Sequence, residues 1–169
     1  MKNPKWIYQQ FVNLEERAAE IYVQMASRFS PGDPELSSFW FEMAMQEKQH
    51  AGLLQFCIAE ELYSPDLPPD KVLHETGALF DNLLKRASDP ELSAADAFQI
   101  ATQLETSEAN AIYNRLTTPV HSSMYLLRRK VATMLPDHVG RLLIEARKRN
   151  APQETLRELE DAASRHASE

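Results

Sequence analysis

Glu47 stands where a buried helix face should carry a leucine. At roughly 100° per residue, the stretch from Leu36 to Leu62 turns Leu36, Trp40, Met43, Leu54 and Ile58 to one side. Glu47 falls at the centre of that stripe, with His50 one turn further on. From Ala94 to Leu116 the stripe is Phe98, Ala101, Ile112 and Leu116, and Glu105 lies at its centre with Glu108 beside it. Between Ile7 and Phe29 it is Ile7, Phe11, Ala18, Tyr22 and Met25, with Glu15 about 60° from the middle and Glu16 nearly opposite. A buried, unpaired carboxylate costs several kcal/mol or takes up a proton. Three of them in one small core are tolerable when a multivalent cation neutralises them. The spacing therefore predicts a metal site inside a helix bundle.

Glu47-Lys48-Gln49-His50 sets a carboxylate and an imidazole at i and i+3, on one face of a helix. Bridging carboxylates can hold two cations and absorb their charge, while neutral imidazole completes each coordination sphere. His138 falls on the stripe of the last long helix (Val120, Met124, Leu127, Val131, His138, Leu142). There it is either a ligand or a core histidine donating to a backbone carbonyl or a neighbouring Glu. Tyr22 and Tyr113 either hydrogen-bond the ligating carboxylates or are large core residues. His74 and His121 lie off the core stripes and are expected to face solvent.

The elements that must position these groups follow from breakers and caps. The first helix runs from about Pro4 to Arg28 and stops at Ser30-Pro31-Gly32. Asp33 is an N-cap with Pro34 at the first helical position, and that helix is expected to reach about Tyr63. A connecting segment capped by Asp70 is helical to about Ala87, and Ser93 with Asp96 forms a capping box for the third long helix. Thr117-Thr118-Pro119 separates it from the fourth, which reaches about Arg149 with a kink at Pro136. Pro152 opens a short C-terminal helix with Leu156 and Leu159 on one face; it should pack on the bundle with a frayed end. The expectation is one domain: a four-helix bundle over residues 1–150, and the last helix over 151–169. The long connection between helices 2 and 3 must cross the bundle's length, as in bundles of the ferritin type.

The halves resemble each other. LEERAAEIY at 14–22 parallels LETSEANAIY at 104–113, and HAGLL at 50–54 parallels HVGRL at 138–142. A duplicated helix pair, each bringing a Glu and a His to the centre, predicts a pseudo-twofold site.

Bulk composition agrees. The 169 residues are 43% hydrophobic and 25% charged with only 4 glycines, values of a globular helical domain with a real core. A formal charge of −7 opposes non-specific binding to nucleic acid or an anionic membrane. Arg147, Lys148 and Arg149 complement a helix C-terminus. No run approaches the ~18 apolar residues of a spanning helix, and the N-terminus has no apolar leader; a cytoplasmic location is expected. The single Cys57 can form neither an internal disulfide nor a Cys-x-x-Cys metal pair. It is expected to be a small core residue.

Glu15-x-x-Ala18-x-x-x-Tyr22, Glu47-x-x-His50, and Glu105 with Glu108 followed by Tyr113 together resemble the rubrerythrin-like branch of the ferritin-like superfamily. The approach LSAADAFQIATQLE is also similar, and the resemblance covers roughly residues 7 to 147. It implies a ferritin-like fold with a di-iron site acting on peroxide or dioxygen, or oxidising ferrous iron: an oxidoreductase of peroxidase or ferroxidase type if the site is intact. The four-cysteine rubredoxin module of rubrerythrins is absent here, so electrons would come from a separate donor protein. The fourth-helix Glu is missing too, with Met134 and Leu135 in its place. The alternative is a degenerate bundle acting as a scaffold or interaction protein.

The inward groups Glu15, Glu47, His50, Glu105, Glu108 and His138 make four Glu and two His, a full two-metal complement with one Glu moved from helix 4 to helix 3. Glu108 is expected to replace the missing acid. One metal would be held by Glu47, His50, Glu105 and Glu15, and a weaker one near Glu108 and His138. Manganese or zinc would also accept these ligands. A second apolar line on helix 2 (Phe41, Met45, Phe56, Ala59) predicts a homodimer.

Overall fold

Asn3 accepts a hydrogen bond from the Trp6 N–H at 3.4 Å and Pro4 follows it, so the chain enters its first helix already capped. A computed structural model describes residues 3–107, 116 and 138–166. The helices in this part of the chain are α1 (Pro4–Phe29), α2 (Pro34–Ala59), α3 (Asp70–Ala87), α4 (Ala94–Glu105), α5 (His138–Lys148) and α6 (Gln153–His166). Among the described residues all regular structure is helical, and no helix is long and apolar enough to cross a membrane.

The turn at Ser30-Pro31-Gly32 ends α1, and the Asp33 carboxylate accepts from the Leu36 N–H at 3.0 Å to start α2. The two helices lie antiparallel, joined by the Ser37 hydroxyl to the Ala26 carbonyl at 2.7 Å and by Lys48 to Glu16 at 2.9 Å. Ile7, Phe11, Ala18, Tyr22 and Met25 of α1 are buried, together with Leu36, Trp40, Met43 and Leu54 of α2; Ile58 is only partly buried. Cys57 is buried as a small core residue.

α2 stops at Ala59, short of the expected Tyr63. The Leu62 N–H bonds the Cys57 carbonyl at 2.8 Å and the Glu61 N–H the Ile58 carbonyl at 3.4 Å, with Glu61 at φ 55°. This is a left-handed cap of the Schellman type built without glycine, so no sequence signal marked it. Tyr8 then pins the connection, accepting from the Ser64 N–H at 2.8 Å and donating to the Leu116 carbonyl at 2.8 Å. Burial pushes the Tyr8 phenol up to about 12.

α3 packs on α1 and α4. Pro69 is its N-cap residue, and Asp70, expected as the cap, is its first helical residue. Ser93 caps α4 by accepting from the Asp96 N–H at 3.1 Å. Trp40 meets Phe98 with ring centroids 5.1 Å apart, and Glu47 and Glu105 both reach His138. α4 therefore runs in the same direction as α2 across the core, and the segment holding α3, packed on α1 and α4, connects the two.

Of the third long helix, expected from Ala94 to Leu116, α4 covers Ala94–Glu105, with Thr106 as its C-cap. The Thr102 and Thr106 hydroxyls bond back to the Phe98 and Thr102 carbonyls at 2.8 and 2.7 Å, a pattern that competes with helix continuation. The expected kink at Pro136 and the segment from Val120 lie outside the described residues.

α5 is antiparallel to α2. His138 faces Glu47, Arg141 pairs with Glu42 at 2.6 Å, and Lys148 and Arg149 reach Glu35 and Asp33. The cations at the end of α5 thus meet the acidic N-terminus of α2 as well as their own helix end. α6 packs on α5 and α4 through Thr155, Leu159 and Ala162.

Candidate metal centre

Five of the six groups expected at the site come together. Glu15 on α1, Glu47 and His50 on α2, Glu105 on α4 and His138 on α5 are all buried, from 1% exposed at Glu105 to 7% at the two histidines. Glu16, one residue from Glu15, is turned outward onto Lys48. Glu108 and Tyr113 lie outside the described residues.

Glu47 is the hub. Its Oε2 lies 3.0 Å from His50 Nδ1, which stands 3.5 Å from Glu15 Oε2. Its Oε1 lies 3.2 Å from His138 Nδ1, which stands 3.6 Å from Glu105 Oε2. Each oxygen of one carboxylate therefore serves a separate Glu–His pair, and the two imidazoles stack at 4.8 Å with planes 16° apart. Glu105 falls in with His138, not with Glu15 and His50 as expected. The sequence parallel between the halves is thus repeated in space, Glu15 with His50 and Glu105 with His138. Among the described residues, Glu47 has no counterpart from the second half.

Tyr22 donates to Glu105 Oε1 at 2.6 Å, and its ring stacks on Trp40 at 5.8 Å. Sequence reading placed Trp40 in the core stripe but could not show that it holds the tyrosine in line. His74 is exposed and takes no part, while His121 lies outside the described residues.

Burial and mutual charge set the protonation of the cluster. Burial raises the Glu15 carboxyl to about 8 against the opposing pull of His50, with Glu47 adding to the rise. Burial would likewise raise Glu47, but hydrogen bonds from His138 and His50 outweigh it and hold Glu47 well below the usual carboxylate range. Burial would lower both histidines. Glu15 and Glu47 overcome this at His50, which rises to about 9, and Glu105 and Glu47 do so at His138, which rises to about 10. Burial and the charges of Glu105 and Glu47 keep the Tyr22 phenol well above its ordinary value.

The donor set fits a cation. Ligand atoms about 2.1 Å from one ion stand about 3.0–3.4 Å apart in tetrahedral or octahedral geometry, close to the 3.0–3.6 Å separations here. Atoms of Glu47, His50 and His138 all lie within 4.8 Å of one another, so this buried group could hold a metal ion. Both imidazoles turn Nδ1 toward the carboxylates. His138 Nε2 is buried with no hydrogen-bond partner among the described residues, so its Nδ1 face is the one the site engages. No family model, curated protein or solved structure matches this chain.

Proposed function

We propose that the chain is a carboxylate-bridged two-metal protein of the ferritin-like, rubrerythrin-related kind, acting on peroxide or dioxygen or oxidising ferrous iron. The observation that carries this reading is Glu47, whose two oxygens each face their own Glu–His pair. Glu15, His50 and Glu47 Oε2 would hold one ion; Glu105, His138 and Glu47 Oε1 the other. In this arrangement the acid absent at Met134 or Leu135 is made up by sharing Glu47, and no contribution from Glu108 is required. Bound iron would supply the electron transfer to the oxidant, and a separate donor protein would return the electrons.

The residues of the chain do the rest. His50 and His138 give up their protons to become neutral ligands, and Glu15 ionises, so metal uptake releases protons. Tyr22 keeps the Glu105 carboxylate in position through its 2.6 Å hydrogen bond. Trp40 and Met43 are buried on the helix that carries Glu47, and Phe98 on the one that carries Glu105. The crossover of α3 between parallel α2 and α4 supports the ferritin-like assignment.

Anaerobic titration with ferrous iron tests the reading. The expected result is two ions bound per chain with release of protons, followed by peroxide consumption once a reductant is supplied. Failure to bind ferrous iron, manganese or zinc at micromolar concentration would leave the buried cluster a structural ion-pair network.

A further inference from the structure

Among the described residues, five buried side-chain atoms have no hydrogen-bond partner: Trp40 Nε1, Gln46 Oε1, Ser107 Oγ, His138 Nε2 and Thr155 Oγ1. A buried polar atom left bare costs free energy unless an ordered water or a ligand meets it. Two of the five belong to one place. Gln46 precedes Glu47 in the chain, and Glu47 Oε1 lies 3.2 Å from His138 Nδ1.

The contact between α2 and α5 shows which way Gln46 faces. Glu35 pairs with Lys148 and Glu42 with Arg141, so seven residues on either helix separate one rung of the contact from the next. Glu35, Glu42 and Gln46 share one edge of α2, at i, i+7 and i+11. The helices are antiparallel, so one turn on from Glu42 comes level with one turn back from Arg141. Those positions are Gln46 and His138, which form the next rung. Burial agrees with this: the Glu35 and Glu42 side chains are 68% and 58% exposed, whereas Gln46 is only 8% exposed.

The pair is chemically matched without being joined. Gln46 Oε1 only accepts. Nδ1 of His138 faces the carboxylates, and an ion on Nδ1 leaves the ring proton on Nε2, which then only donates. The two atoms make no direct hydrogen bond, and both are sealed from bulk solvent. One water between them accepts from the Nε2–H and donates to Oε1, meeting both needs; buried waters occupy sites of this kind. What the outer nitrogen of a ligand histidine donates to sets the orientation of its ring.

We infer that Gln46 is a positioning residue for His138, holding the ring by its Nε2 through one buried water. The effect on metal binding rests on the two-ion reading above; the water bridge does not. Crystals of the full chain, grown with and without zinc, should show a water within about 3.2 Å of both atoms. In calorimetric titration with zinc, Gln46→Leu should weaken one of two ions about 10–100-fold and leave the other unchanged. The zinc peak reduced in Gln46→Leu crystals should be the one at His138. Gln46→Glu keeps the acceptor and should bind both ions at least as tightly as the wild type. A gap without water, a protein group on Nε2 in its place, or an unchanged Gln46→Leu titration would overturn the inference. So would equal weakening of both ions, or a loss confined to the ion at His50, which stands one turn after Gln46 on α2. A bridging water in a wild type that takes up no zinc would uphold the bridge and refute the two-metal reading instead.

Discussion

Glu47 carries two histidines on its two oxygens, and this makes the metal-free cluster a store of protons. Glu15, His50 and His138 hold their protons more tightly in the folded chain, at about 8, 9 and 10, than at their ordinary values of 4.5 and 6.5. Their stabilisation is fully present below those ordinary values and is lost as pH rises through the folded ones. Glu47 has the opposite sign: its contribution is present above the ordinary carboxylate value and is lost as pH falls through its depressed one. The metal-free protein should therefore lose thermal stability progressively between about pH 5 and pH 10. Cation binding needs those same protons removed, so stabilisation by added manganese or zinc should grow across that interval. Calorimetric melting with and without metal would show the two curves separating as pH rises; parallel curves would contradict the proton-for-metal exchange. Glu15, Glu47, His50 and Glu105 could be read from the sequence because each interrupts an apolar stripe. Which glutamate meets which histidine could not be, since helical phase orients a residue about its own axis and does not fix how far one helix slides past another.

At the scale of elements, ends marked by proline, glycine or a capping side chain were readable, as at Ser30-Pro31-Gly32, Asp33 and Ser93. Ends made by unusual residues were not. α2 closes on Glu61 at φ 55°, whereas α5 closes on Asn150 at φ 53°; asparagine tolerates that region and glutamate does not. The last hydrogen bonds of α5 have the same pattern, with the Ala151 N–H on the Ala146 carbonyl at 2.9 Å. Glu61→Gly removes the Cβ conflict at a small cost in unfolded-chain entropy, and should stabilise the protein by about 0.5–1 kcal/mol. That corresponds to a rise in Tm of about 1–4 °C, with metal stoichiometry unchanged. A drop in Tm would mean that the Glu61 side chain does more than occupy the turn. α4 shows the other limit. Thr102 and Thr106 are unremarkable inside a helical pattern, yet their back-bonded hydroxyls lie on either side of its end at Glu105.

Across the whole molecule, the chain brings a Glu–His pair from each end of its sequence to one carboxylate. α3 crosses so that α2 and α4 lie parallel, and α5 returns antiparallel to α2, its cations on the α2 N-terminus and His138 on Glu47. Buried charge of this density is costly unless it is neutralised, and among the described residues the buried carboxylates and imidazoles all gather around one point. The most direct measurement is an anomalous difference map at the iron edge, from crystals grown anaerobically with ferrous iron. The account predicts two peaks, one on each oxygen of Glu47, the first bounded by Glu15 and His50 and the second by Glu105 and His138. A map without peaks at Glu47, or with iron held only by exposed carboxylates, would contradict it.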